Sequence, residues 1–176
     1  PRCKTVNYRW INNRNVFLVI ALAAATAMAS ALYLQYVVGL SVCPLCLTQR
    51  VFFVAAGSIA FLAALHNPTG VGRRVYAVLG LAMTAMGMGF AGRHIWLQYL
   101  PPEEVPACGP SLEYMLEVFP FEEALKALLM GDGNCAETLW TFLGLSIPEL
   151  AMGVFVFMAG AFVVLLVRSN APSETK

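Results

Sequence analysis

Between Val16 and Val38 the chain carries no charged side chain, and Gln35 is the only strongly polar one. That run narrows the possible folds more than any other feature. At ~1.5 Å per residue, about 20 helical residues cross the roughly 30 Å hydrocarbon core of a bilayer. Comparable runs follow: Pro44 to Leu65, interrupted only by Thr48, Gln49, Arg50 and Ser58; Val75 to Gly92, uncharged; and Leu150 to Val167. Only 12% of the 176 residues are charged and 59% are hydrophobic, which excludes an ordinary soluble domain. The expected fold is all-α and membrane-embedded. It is a four-transmembrane-helix bundle forming one integral domain, residues 1–176, with spans at about 16–38, 44–65, 75–97 and 148–167. A cleaved signal peptide competes for the first run, since Ala25-Thr26-Ala27 and Ala27-Met28-Ala29 resemble small-residue cleavage sites. The apolar run continues past both to Val38, which favours a span.

The connections differ in character. Gly39 to Val42 makes a very short turn, and His66 to Arg74 reads as another, with Asn67-Pro68, Thr69-Gly70 and Gly72 as breakers. Within the third run, Gly80, Ala82, Ala85, Gly87, Gly89 and Ala91 are small enough to let a neighbouring helix approach closely. From about residue 98 to 147 prolines and acids accumulate, so this is one long loop rather than a span. Inside it, Leu112, Met115, Leu116 and Phe119, then Leu125, Leu128 and Leu129, recur at helical spacing among Glu113, Glu117, Glu122, Glu123 and Lys126. That pattern predicts short amphipathic helices, lying on the membrane surface or covering a partner helix.

Charge sets the orientation. With four spans both termini share a side, and that side receives Arg2, Lys4, Arg9, Arg14, Arg73, Arg74, Arg168 and Lys176, eight of the eleven cations. By the positive-inside rule the termini are cytoplasmic. Nine of the ten acidic residues fall between Glu103 and Glu149, in the long loop. The loop and the turn at about 39–43 then face outward, and with them Cys43, Cys46, Cys108 and Cys135, on the side where disulfides persist. Cys3 lies on the other side and is incidental. A net charge of +1 without a basic stripe leaves no nucleic-acid partner.

Cys43-Pro44-Leu45-Cys46 stands where the second span should start. Cys43 as N-cap with proline at the first helical position matches proline's preference, and the positive end of a helix favours a thiolate. Arg50 is one turn past Cys46 on the same face, about 6 Å along the axis. A cation there either snorkels to the interface or serves a thiolate or anionic ligand. The two cysteines can close a small disulfide, bind a soft metal, or do neither. A Cys108–Cys135 bridge would close roughly 28 residues and act as a staple of about 3.5 kcal/mol. A four-cysteine zinc site is disfavoured by the missing second C-x-x-C. His94 and Arg93 sit at the outward end of the third span, and Trp140 reads as an interfacial anchor.

Taken together, these pieces resemble the DsbB family, which reoxidises a periplasmic DsbA-type thiol oxidase. The resemblance is carried by Cys43-Pro44-Leu45-Cys46 followed by Arg50, by His94-Ile95-Trp96-Leu97-Gln98 ahead of Cys108, and by Asn134-Cys135-Ala136-Glu137 running into Trp140 and Phe142-Leu143-Gly144-Leu145. It covers about residues 16–167 and implies two redox-active disulfides, Cys43–Cys46 and Cys108–Cys135. It also implies a protein dithiol:quinone oxidoreductase of the bacterial inner membrane, using ubiquinone or menaquinone and no metal, with its cysteines periplasmic. In that scheme the partner attacks Cys108, Cys135 attacks Cys43, Cys46 meets the quinone, Arg50 stabilises that arrangement and His94 lies nearby. Gln49 departs from the acidic residue some relatives place before the arginine, a neutral change on this reading. Two rivals stand beside it. An enzyme resembling vitamin K epoxide reductase would carry its C-x-x-C late in the chain, whereas here it opens the second span. A structural membrane protein would have a disulfide-stapled outer loop and an inert Cys43/Cys46 pair.

Overall fold

The computed structural model describes residues 12–109, 114, 120–138 and 140–169. Cys3 and the basic N-terminal tail, most of the segment 111–119 and the C-terminal tail lie outside the described residues. Among the described residues, four helices are long and apolar enough to cross a membrane: α1 Asn13–Tyr36, α2 Pro44–His66, α3 Val71–Gln98 and, after the loop, α5 Ile147–Ser169. Between the last two lie the short helix α4 Phe121–Met130, a 3₁₀ turn Gly133–Ala136, and a hairpin of β1 Thr141–Phe142 with β2 Leu145–Ser146.

The ends of these helices follow from local chemistry. Cys43 caps α2, its sulfur accepting from Cys46 N–H, with Pro44 in the first turn. Asn67, left-handed at φ 44°, closes α2. The helix that follows begins at Val71, directly after Gly70, so Arg73 and Arg74 belong to the first turn of α3 rather than to the connecting turn expected over 66–74. The breakers are spent by Gly70; Gly72, with no further special φ, is absorbed into the helix. α5 opens with one half of a capping box: the Glu149 carboxylate reaches back to accept from Ser146 N–H at 2.6 Å, and it also accepts from Ser146 Oγ at 3.0 Å. Tyr99 donates to the same carboxylate at 3.1 Å, tying the end of α3 to the start of α5. The hairpin pairs Thr141 with Ser146 and Phe142 with Leu145 around Leu143-Gly144, both at positive φ, the geometry of a tight two-residue hairpin turn.

α1 packs on α2, α2 on α3, and α3 on α5, with a lighter contact closing the ring between α1 and α5. The core is Phe17 and Ile20 from α1, Phe53 and a run of alanines from α2, and Phe155, Met158, Phe162 and Leu165 from α5. Phe53 stacks on Phe155 with ring centroids 3.9 Å apart. On α3, a Cβ at Gly80 or Gly87 would overlap the rings of Phe162 or Phe155, so absent side chains here make room for α5 aromatics. Ala82, Ala85 and Gly89 instead face outward; they are not part of that approach. The connection between α1 and α2 and the segment after α3 meet at one end of the bundle, where Cys43, Leu45, Leu97 and Cys135 form a second buried cluster.

Candidate thiol site

Three elements converge on the cysteines. The α2 N-terminus supplies Cys43 and Cys46, whose sulfurs lie 3.0 Å apart. The last turns of α3 bring His94, buried, with Nε2 at 3.7 Å from Cys43 Sγ and Nδ1 at 3.9 Å from Cys46 Sγ. The 3₁₀ turn of the loop delivers Cys135, fully buried and packed in one cluster with Cys43. These three cysteines and the histidine thus adjoin, although 92 positions of sequence separate Cys43 from Cys135.

Cys108 stands apart. It is exposed, and its strand is tied to the Cys135 segment by Gly133 N–H donating to Ala107 O at 3.3 Å and Asn134 Nδ2 donating to Gly109 O at 3.1 Å. A Cβ on Gly133 would come within 3.0 Å of Cys108 Sγ, so this glycine lets the exposed sulfur settle beside the chain two residues before Cys135. The thiol–imidazole cluster of the described residues is Cys43, Cys46 and His94, not a four-cysteine tetrahedron.

The thiols outside the spanning helices are unequal. Cys43 is pushed above the ordinary cysteine range because its proton is shared first with Cys135 and then with Cys46, and burial adds to this. Cys135 is held below that range, chiefly by the hydrogen bond from Cys43 and further by the Leu45 and Asp132 backbone, against the opposing cost of burial. Of the two, Cys43 holds its proton the more firmly and Cys135 gives its proton up the more readily. Because the Cys135 value is lowered, its thiolate persists as pH falls below the usual cysteine midpoint of about 8.5. In a chain whose Cys3, Cys46 and Cys108 are serine, thiolate absorbance against pH should show a Cys135 midpoint below that value, and Cys43→Ala should move it upward. A midpoint unmoved by Cys43→Ala would show that the Cys43 proton does not stabilise the Cys135 thiolate.

On the far side of Cys46 a cleft of about 240 Å³ opens between α1, α2 and α5. Its walls are apolar (Leu34, Phe53, Ile147, Leu150, Ala151, Val154), and its polar groups are concentrated in Gln35, Cys46, Gln49 and Arg50. Arg50 turns toward α1. Its guanidinium is half-buried, donating to Gln35 Oε1 and, at 3.1 Å, to Ala31 O on α1. A smaller cavity on the opposite side is bordered by Cys43, Cys46, His94 and Trp140, so Cys46 lies between the two spaces. Trp140, expected as an interfacial anchor, thus lines the thiol site and stacks on Phe142 at 5.9 Å.

Sequence reasoning passed over Gln49. It is buried, lines the cleft and places Nε2 at 3.2 Å from His94 Nδ1. With that amide donating, the contact matches the tautomer whose proton is on Nε2, the nitrogen facing Cys43. The available signal was its position three residues after Cys46, on the same helical face. Gln35 had a signal too, as the lone strongly polar side chain of the first span.

Comparison with known proteins identifies the family. Residues 13–165 match the family model described as disulfide bond formation protein DsbB. The chain is 50% identical over 159 residues to disulfide bond formation protein B of Hahella chejuensis, covering 90% of this chain and 96% of that one. It is 48% identical over 143 residues to the protein of the same description from Saccharophagus degradans, covering 81% and 86%. The Marinobacter nauticus protein, also so described, is 46% identical over 166 residues, covering 93% and 98%. A family match running from α1 into α5, with relatives 46–50% identical over most of their own length, places the chain in the DsbB family.

Proposed function

We propose that the chain is a protein dithiol:quinone oxidoreductase, a single integral domain of the bacterial inner membrane with cytoplasmic termini and periplasmic cysteines. It reoxidises a DsbA-type thiol oxidase and delivers the electrons to the membrane quinone pool, ubiquinone or menaquinone. Family membership carries the coarser part, thiol oxidation in disulfide formation. The observation that carries the finer part is the continuous path from Cys135 to Cys43 to Cys46 and into the cleft walled by Arg50.

Each step conserves atoms and electrons. A partner thiolate attacks Cys108 Sγ in the Cys108–Cys135 disulfide, and Cys135 leaves as a thiolate; the partner's second thiol resolves the mixed disulfide and frees Cys108. Cys135 then attacks Cys43 Sγ in the Cys43–Cys46 disulfide, forming Cys43–Cys135 and releasing Cys46 as a thiolate. Attack by Cys108 on Cys135 restores the loop disulfide and releases Cys43, which is built to take up a proton. The Cys43/Cys46 dithiol is left two electrons richer. A quinone supplies the two-electron, two-proton sink that lets this pair close again.

The residues present suit such an acceptor. A flat apolar ring matches the aliphatic and Phe53 walls, and its carbonyl oxygens need donors, which Arg50 and Gln49 offer beside Cys46. Arg50 holds charge near the Cys46 thiolate, and His94, oriented by Gln49, adjoins both sulfurs to hold or pass a proton. The test is turnover by purified protein: with a soluble ubiquinone or menaquinone analogue it should oxidise an excess of reduced DsbA-type partner. Failure with both quinone classes, from protein whose Cys43/Cys46 pair is intact, would refute the proposal.

A further inference from the structure

The relay requires Cys135 to stand at Cys43, and the chain leading to Cys135 is fastened accordingly. The last four carbonyls of a helix have no helical partner, and two of those of α4 are taken by side chains of the spanning helices. Thr48 Oγ1 on α2 donates to Leu128 O at 2.7 Å, and Arg93 Nε on α3 donates to Met130 O at 3.2 Å. Gly131 then turns the chain at φ +77°, where a Cβ would come within 2.6 Å of Leu45 and 3.0 Å of Leu97. Four residues later Cys135 is buried against the same two leucines and Cys43. Thr48 also lies 3.2 Å from Pro44 O, so the grip on α4 and the thiol pair share the opening turn of α2. Among the described residues, the chain at Cys108 is tied to the 133–134 segment, by Gly133 N–H to Ala107 O and Asn134 Nδ2 to Gly109 O.

We propose that Thr48 is a positioning residue. By gripping the end of α4 it holds Cys135 at Cys43 and selectively stabilises the Cys43–Cys135 disulfide over the pair within α2. The proposal rests on the relay described above. The step it favours forms the Cys135–Cys43 bond, breaks the Cys43–Cys46 bond and passes the electron pair to Cys46, with no net oxidation and no external reactant. The grip contributes only to states in which the loop is docked. The Cys43–Cys46 disulfide closes within one helical turn and gains nothing from it.

The test compares two full-length backgrounds equilibrated with a glutathione buffer, disulfides being counted by thiol alkylation and mass. In one, Cys3, Cys46 and Cys108 are serine, leaving Cys43 and Cys135; in the other, Cys3, Cys108 and Cys135 are serine, leaving Cys43 and Cys46. Thr48→Val keeps the shape and loses the donor. It should lower the Cys43–Cys135 constant about fivefold, the scale of one hydrogen bond. It should leave the Cys43–Cys46 constant unchanged, and Thr48→Ser should restore the first. An unchanged Cys43–Cys135 constant in Thr48→Val overturns the proposal, as does an equal fall in both constants, which would mean general loosening of α2. If the parent never forms Cys43–Cys135, the relay itself falls and the grip with it. If it forms the pair and Thr48→Val leaves it unmoved, only the grip falls.

Discussion

Cys46→Ser should stop catalytic turnover with quinone, lowering it by roughly 10⁴-fold or more, the scale seen when a member of a covalent catalytic unit is deleted. The reason is stoichiometric. Without Cys46, the Cys135 thiolate has no disulfide at Cys43 to attack, and no thiol borders the apolar cleft. One oxidation should survive: a protein prepared with Cys108–Cys135 closed should still oxidise a single equivalent of reduced partner and then halt. Rapid mixing of excess partner with the variant, followed by counting of oxidised partner per chain, separates the two. A structural protein with an inert pair makes the opposite prediction, and turnover at the parent rate in Cys46→Ser would sink the relay. The placement of Cys46 between the small His94 cavity and the larger apolar cleft is what makes the loss so large.

Much of this was legible in the chain, for identifiable reasons. Lipid leaves backbone polar groups no partner but the helix itself, so long uncharged runs can be read as helices without reference to tertiary structure. Cys43-Pro44 announced the start of α2, because capping and proline placement are local. What could not be read was anything set by packing between distant segments. Gln49 seemed a neutral departure, yet it orients His94 forty-five positions away. Thr48 looked like a mere interruption of an apolar run, and it grips a carbonyl eighty positions on. The third span was started late because Gly72 was counted as a breaker, when Asn67 and Gly70 had already completed the turn. The hairpin at 141–146 is two residues per strand, too short for an alternating pattern to show.

Arg50 makes the second large prediction. Sequence left two uses for it, snorkelling or service to a thiolate, and these demand different geometries. A snorkelling side chain ends in water or headgroups. This one is tied to Gln35 Oε1 and Ala31 O in the last turns of α1, near the negative end of that helix, with its planar head forming part of the cleft wall. Held there, it cannot assist the attack on Cys108, which lies in an exposed strand of the loop. It can act only on what enters the cleft and on the charge that develops at Cys46. Hydrogen bonds to charged groups contribute about 1.5–3 kcal/mol, and each 1.4 kcal/mol is about tenfold. Arg50→Met, which keeps much of the stem, should therefore weaken quinone use by roughly ten- to a hundredfold, seen mainly in KM for a soluble analogue. Single-turnover oxidation of the partner by protein with both pairs preformed should stay at the parent rate. Equal losses in the two measurements would make Arg50 a strut between α1 and α2. A loss confined to the quinone step would separate its charge from its packing, because the same side chain serves both helices in either case.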